Sequence, residues 1–214
     1  MKITYAVTVC NEFIEIQRLV HHLLKNKRAQ DDIVILYDSK NGNPDIETFL
    51  RSHSVNGEFM WHKSEFEGHF ANWKNKLNML CTGDYIFQID ADEIPCTPLL
   101  ETLPLLLEQN PDVEVYLVPR ENTVHGLSDA HIKKWGWNVN SEGWVNWPDY
   151  QWRIYKNVPN IKWKNKVHEV LEGFTQYAHL PMEQDYSLYH PKTIEKQEKQ
   201  NNLYEGLINF ITMS

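Results

Sequence analysis

Three short apolar runs constrain this chain more than any other feature: Ile3 to Val9, Ile33 to Tyr37 and Tyr85 to Ile89. Each is too short for a buried helix and is bounded by polar residues, and such a run reads as a strand covered on both faces. After the first, Phe13, Ile16, Leu19, Val20, Leu23 and Leu24 recur at helical spacing. Asn11 stands where it would cap that helix, and Glu12 and Glu15 would complement its dipole. Pro44 opens a second helix with Ile46, Phe49 and Leu50 facing inward. Phe70, Trp73, Leu77 and Leu80 mark a third, with Gly83 placed to terminate it before the next strand. Leu99 to Leu107 predicts a further helix despite Pro104, and Val113 to Val118 a further strand. Strands alternating with helices predict an α/β fold, a mostly parallel central sheet flanked by helices with right-handed crossovers.

In such sheets ligands bind beyond the carboxyl ends of the strands, and Asn11, Asp38 and Asp90 occupy three of those ends. The third end is the most acidic, FQIDADEIP from Phe87 to Pro95. Residues two apart in an extended chain share a side, so Asp90 and Asp92 should emerge together while Glu93 points away. Two carboxylates aimed at one point require a cation or a shared proton. As oxygen ligands they suit Mg2+ or Mn2+, which would also bind a diphosphate. A solvated turn after a strand is the competing reading of D-x-D alone. For Glu93 the options are a contact with a sugar or a structural hydrogen bond.

Past residue 120 the character changes. Six of the eight tryptophans follow, among Gly, Asn and Asp. Tyr150 to Tyr155 and Ile161 to Lys164 alternate like strands, predicting a small β-rich region. Trp135, Trp137, Trp144 and Trp147 would suit a groove for a sugar acceptor, or packing. A polar stretch from Thr193 precedes an apolar stripe at Leu203, Tyr204, Leu207 and Ile208, which predicts a terminal helix that could lead into further domains. The expected organisation is one domain over 1–214: a nucleotide half at 1–119, an acceptor half at 120–192 and a helix at 193–214.

Charge and composition exclude several classes. A net charge of −8 and a pI near 5.7 provide no basic field for a phosphate backbone, so nucleic acid is not an expected partner. Cys10, Cys81 and Cys96 lack a CxxC spacing and read as reduced thiols, which favours a cytoplasmic location. No apolar run approaches the roughly 18 residues of a membrane span, and Met1 leads directly into a strand without a signal peptide.

Four motifs in order, TVCNE at Thr8 to Glu12, Asp38 after the second strand, NWKNKLNMLCTGDYIFQIDADE from Asn72 to Glu93, and RIYKN with VHE between Arg153 and Glu169, resemble glycosyltransferase family 2, of the GT-A fold. The resemblance covers most of the first 170 residues. It implies a nucleotide-diphosphate sugar as donor, most simply UDP-glucose or a similar UDP-hexose, a Mn2+ or Mg2+ ion, transfer with inversion, and a glycan or glycoconjugate as acceptor. By position it places Thr8, Cys10 and Glu12 under the nucleotide, Asp38 on the base, and Asp90 and Ala91 against the donor. Lys74 stands where the family usually has Arg, keeping the charge and losing the planar fork. Asp92 is implied as the more direct metal ligand, with Asp90 near the ribose or the ion and His168 of VHE as a third ligand. The other nine histidines lack such placement. An inverting transfer needs a base for the acceptor hydroxyl. Asp149, four residues before Arg153, is the first choice and Glu169 the alternative, although the family's paired E-D is absent.

Three rival readings compete with this one. A D-x-D phosphohydrolase fails at Ile94 and expects its motif on the first strand. A sugar-nucleotide pyrophosphorylase needs a glycine-rich loop that TVCNE lacks. A non-catalytic glycan- or nucleotide-sugar-binding module stays open, because fold does not establish function.

Overall fold

The computed structural model describes residues 1–199 and 201. Its amino-terminal half alternates as expected: β1 (Ile3–Val9), α1 (Phe13–Asn26), β2 (Asp32–Asp38), α2 (Pro44–His53), β3 (Met60–Ser64), α3 (Phe70–Asn78) and β4 (Tyr85–Asp90). Then come β5 (Ile94–Pro95), α4 (Thr97–Gln109), β6 (Val115–Val118), β7 (Arg120–His125) and α5 (Asp129–Trp135). The remaining strands are β8 (Gln151–Lys156), β9 (Lys162–Lys164), β10 (Val170–Glu172), β11 (Tyr177–His179) and β12 (Leu188–Thr193).

A seven-stranded sheet in the order β11-β6-β8-β4-β1-β2-β3 forms the centre. Its pairings are parallel except that β8 runs antiparallel to both β4 and β6. Alternation along the strands sends Ile3, Tyr5, Val7, Ile33, Ile35, Phe87 and Ile89 to one face, where they pack with α1, α2 and α4. Ala6, Val34, Leu36, Ile86 and Tyr155 meet α3, β9 and β10 on the other. The fold is α/β, a mostly parallel central sheet flanked by helices, as the apolar runs predict. A smaller sheet, β5-β12-β7, flanks the carboxyl end of β4, and β10 pairs with β9.

Several local expectations change. β3 has no counterpart in the sequence reading, because an edge strand needs no continuous apolar run and its residues are mostly half or fully exposed. The strand expected at Tyr150 to Tyr155 exists as β8 but lies inside the main sheet instead of in a separate β-rich region. Asn11 does not cap α1; Glu12 occupies that position and turns its carboxylate back onto the Cys10 and Asn11 amides, each at 2.9 Å. α3 ends at Asn78, before Gly83. Gly83 serves packing instead, since a Cβ there would lie 2.6 Å from the Thr4 nitrogen. Pro44 is in the first turn of α2, capped by Asn43, and α4 continues through the buried Pro104. Residues 194–199 are helical, whereas Leu203, Tyr204, Leu207 and Ile208 lie outside the described residues. Cys10, Cys81 and Cys96 are free thiols. Among the described residues no helix is long and apolar enough to cross a membrane.

Phe87 is fully buried in the central strand, whereas Met79 is 79% exposed. Phe87→Ala is therefore expected to cost about 3–5 kcal/mol in urea unfolding, and Met79→Ala within about 0.5 kcal/mol of none.

Candidate active site

β4 ends at Asp90, and the chain then turns: the Glu93 amide donates to the Asp90 carbonyl at 2.9 Å. Strand alternation therefore stops at Asp90, and the expectation that Glu93 simply points away fails. Glu93 folds back under the turn, fully buried. Its Oε2 accepts from Arg153 Nε at 3.0 Å and from the Asp90 amide at 3.2 Å. Its Oε1 accepts from Arg153 Nη2 at 2.6 Å and Arg120 Nη1 at 2.9 Å. Of the two roles open to this residue, it fills the structural one.

The two arginines carry the arrangement outward. Arg153, from β8, donates Nη2 to Asp90 Oδ2 at 2.7 Å. Arg120, at the start of β7, donates Nη2 to Asp149 Oδ2 at 2.7 Å and Nε to the same oxygen at 3.0 Å. Burial alone would raise the Asp90 carboxyl, but Arg153 and then Lys74 hold it well below the usual carboxylate range. Asp149 is lowered in the same way, burial being outweighed by Arg120 and by Asn122, whose Nδ2 donates to Asp149 Oδ2 at 2.6 Å. Both arginines are pushed further up by their carboxylates despite burial.

Asp92 meets a different partner. Its Oδ2 lies 3.3 Å from His190 Nε2, on β12, and His190 Nδ1 is 2.6 Å from Asn122 Oδ1. Burial lowers the His190 pKa and outweighs the neighbouring carboxylate. Burial raises the Asp92 carboxyl, yet the bond to His190 brings it down to about 2. The Asn122 amide nitrogen faces Asp149, a carboxylate that can only accept, so Oδ1 is left to accept from His190 Nδ1–H. Nε2 then either donates the second proton of the charged ring to Asp92 or, in the singly protonated ring, is the nitrogen left bare for a cation. Bare, Nε2 and the Asp92 carboxylate are two electron-pair donors aimed at one point, where a divalent cation can replace the proton between them. Their spacing suits adjacent ligands of one octahedral ion, which stand roughly 3 Å apart for bonds of about 2.1 Å. Among the described residues no group of three or more His, Cys, Asp or Glu is arranged to hold a metal. Mg2+ is commonly held by only one or two carboxylates plus substrate phosphates, so two protein donors fit this type of site.

Two of the remaining expected residues reach Asp90. Thr8 Oγ1 donates to Asp90 Oδ1 at 3.4 Å. Lys74 is buried, 2.7 Å from Glu169 and 3.9 Å from Asp90, with its ammonium 4.5 Å from the centroid of the Trp163 ring. Ala91 is buried in the turn between the two aspartates. Asp38 is only 3% exposed, and its oxygens accept from the Lys40 and Phe66 amides and from Asn41 Nδ2 at 3.0–3.1 Å. Those bonds outweigh burial and lower its pKa. Cys10 Sγ donates to Asp38 at 3.7 Å, and burial pushes the thiol up to about 12. Gly42 lets this loop close, because a Cβ would fall 2.1 Å from the Asp38 carbonyl oxygen. His168 is exposed, with φ 52°, in the loop before β10. The histidine brought to Asp92 is His190, to which the sequence reading gave no role.

Asp149 and His190 line one cavity of about 200 Å³ with Arg120, Asn122, Trp137 and Lys192. Trp135 and Trp137 pair at 4.6 Å, Trp144 and Trp147 at 4.7 Å, all partly exposed and outside the hydrophobic core.

The family model for glycosyl transferase family 2 matches residues 4–180. The chain belongs to that family. No curated protein matches it significantly. Among solved structures, S. aureus TarS 1-349 in complex with UDP-GlcNAc is similar at TM-score 0.58 and 14% identity, over 90% of this chain and 59% of that one. The same segment in complex with UDP gives 0.57 and 13%, over 89% and 60%. S. aureus TarS as a longer chain gives 0.57 and 13%, over 89% and 37%. At this identity the likeness shows the fold, and the family 2 chain spans less than two thirds of each TarS chain.

Replacing Glu93 by Gln leaves two buried guanidinium groups facing an amide. Glu93→Gln is expected to cost about 3–5 kcal/mol in chemical unfolding, against about 0–1 kcal/mol for Glu172→Gln, whose partner Lys164 is exposed. Asp38 and Asp149 are depressed in the folded state, so they bind fewer protons there than in the unfolded chain. Their stabilisation is complete above the unfolded value of about 3.9 and disappears as pH falls through the lower native values. Thermal melts between pH 6 and 2.5 should show that loss, and Asp38→Asn should flatten the curve.

Proposed function

We propose that this protein transfers a hexose from a UDP-sugar, UDP-glucose or a similar donor, to a hydroxyl of a glycan or glycoconjugate, with inversion. The observation that carries the reading is the opposed Asp92–His190 pair beside Asp149 at the carboxyl end of β4. Asp92 and His190 would hold Mn2+ or Mg2+, and His190 takes the role that the family resemblance suggested for His168. When bound, the ion supplies charge to neutralise the diphosphate leaving group. The UDP preference draws support from TarS, similar in fold and crystallised with UDP-GlcNAc and with UDP.

On this reading Asp90, anchored by Arg153 and Thr8, faces the donor with Ala91, while Glu12 and Asp38 shape the loops under the nucleotide near Thr8 and Cys10. Lys74 holds Glu169 and adds positive charge next to Asp90. Asp149 is the base, because it lines a cavity with His190 and Glu169 does not. Arg120 and Asn122 keep Asp149 ionised and fix its orientation, so it receives the acceptor proton as the glycosidic bond forms. The nucleotide half, the acceptor half and the terminal helix are read as parts of one catalytic domain at the boundaries 1–119, 120–192 and 193–214.

Calorimetric titration of UDP with and without MnCl2, followed by turnover of UDP-glucose, tests this. UDP should bind more tightly with Mn2+, and Asp92→Ala should abolish the gain. Asp149→Asn should leave UDP binding intact and lower turnover by about 10²–10⁴-fold. Binding indifferent to Mn2+ and to Asp92→Ala would refute the reading, and tight binding without turnover would favour a binding module.

A further inference from the structure

One side chain touches both halves of the proposed chemistry. Asn122 lies opposite His190 in the parallel register of β7 and β12. On its other side its carbonyl accepts the Val145 amide at 2.8 Å. Its backbone is thus held from both flanks, and its amide has little freedom to turn. Nδ2 donates to Asp149 Oδ2 at 2.6 Å and reaches the Val145 carbonyl at 3.4 Å. Oδ1 faces His190 Nδ1 at 2.6 Å. Flipping the amide would set its oxygen against the Asp149 carboxylate and its NH2 against the imidazole N–H, losing both bonds. The amide therefore has one orientation, and that orientation dictates where the imidazole proton resides.

We propose that Asn122 is a positioning residue with two outputs: in the singly protonated ring it holds the His190 proton on Nδ1, so that Nε2 beside Asp92 is the nitrogen open to a metal ion, and it holds Asp149 toward the cavity as the base. This rests on the reading of Asp92 and His190 as ion ligands. It adds that ligand and base are set by one amide, so neither can reorient without disturbing the other. Outer partners that fix a histidine tautomer commonly change metal affinity by about 10–100-fold when removed.

The test begins with the metal-free protein. In 15N–1H spectra of histidine-labelled wild type, taken at a pH high enough for the ring to carry a single proton, His190, assigned by its loss in His190→Gln, should hold that proton on Nδ1 with Nε2 bare. Asn122→Leu, close in shape and unable to bond, should lose that preference and weaken Mn2+ binding in the presence of UDP by about 10–100-fold. Asn122→Asp keeps an acceptor for Nδ1–H and opposes Asp149 with a second carboxylate. It should retain the tautomer and Mn2+ affinity to within a few-fold while turnover of UDP-glucose falls at least tenfold. A singly protonated wild-type His190 whose proton sits on Nε2 overturns the proposal, as does an Asn122→Leu protein that keeps both tautomer and affinity, or an Asn122→Asp protein with full turnover. If Asn122→Leu does not fold, the wild-type spectrum and Asn122→Asp still decide. Wild type that shows the Nδ1–H tautomer but no Mn2+ binding would instead refute the metal reading.

Discussion

A single buried carboxylate organises this site. Glu93 is inaccessible to solvent and bonds to two guanidinium groups from two strands, one in the central sheet and one in the flanking sheet. Taking three charges out of water is costly, and a mutual arrangement of this kind offsets that cost only when the geometry satisfies the groups involved. Here Arg153 extends from Glu93 to Asp90 and Arg120 extends from Glu93 to Asp149. The acid at the end of β4 and the acid before β8 are thus referenced to one fixed point, although 59 positions in sequence separate them. Hydrogen-bonded charge networks of this kind hold their members in place because each displacement breaks several bonds at once.

The clustered carboxylates of the DADE turn divide their work by partner. Asp90 is neutralised by a guanidinium, Glu93 is consumed internally by two, and Asp92 meets an imidazole nitrogen. Only the last has a partner that can exchange its proton for an outside cation. The question raised by two aspartates spaced two apart is therefore answered unevenly: they are near one another, but the turn after Asp90 assigns them to separate tasks.

The central sheet was readable because burial on both faces leaves continuous apolar runs, as in Ile33 to Tyr37. β3 was not, since an edge strand with exposed Met60 and Lys63 carries no such pattern. The DxD aspartates and Asp149 could be proposed from motif order. His190 could not: HPK resembles no metal motif, and VHE offered a histidine at the familiar place. The inward alternation of Leu188 and His190 was the available signal, and it shows only burial. Asn122 and Arg120 gave no signal, because their roles arise from strand neighbours far away in sequence. Glu93 was misjudged by carrying alternation past a turn that begins at the preceding strand's last residue.

The antiparallel course of β8 has an implication for biosynthesis. Because that strand enters the sheet between β4 and β6, an earlier-made pair must wait for a later segment to separate them and complete the array. β12, which brings His190, is later still. A chain emerging from the ribosome would form β1, β2 and β4 while their eventual companions were still unsynthesised, leaving an open strand edge and an unmatched acidic tip. The fold thus concentrates its exposure to misassembly in the interval before residue 190 appears.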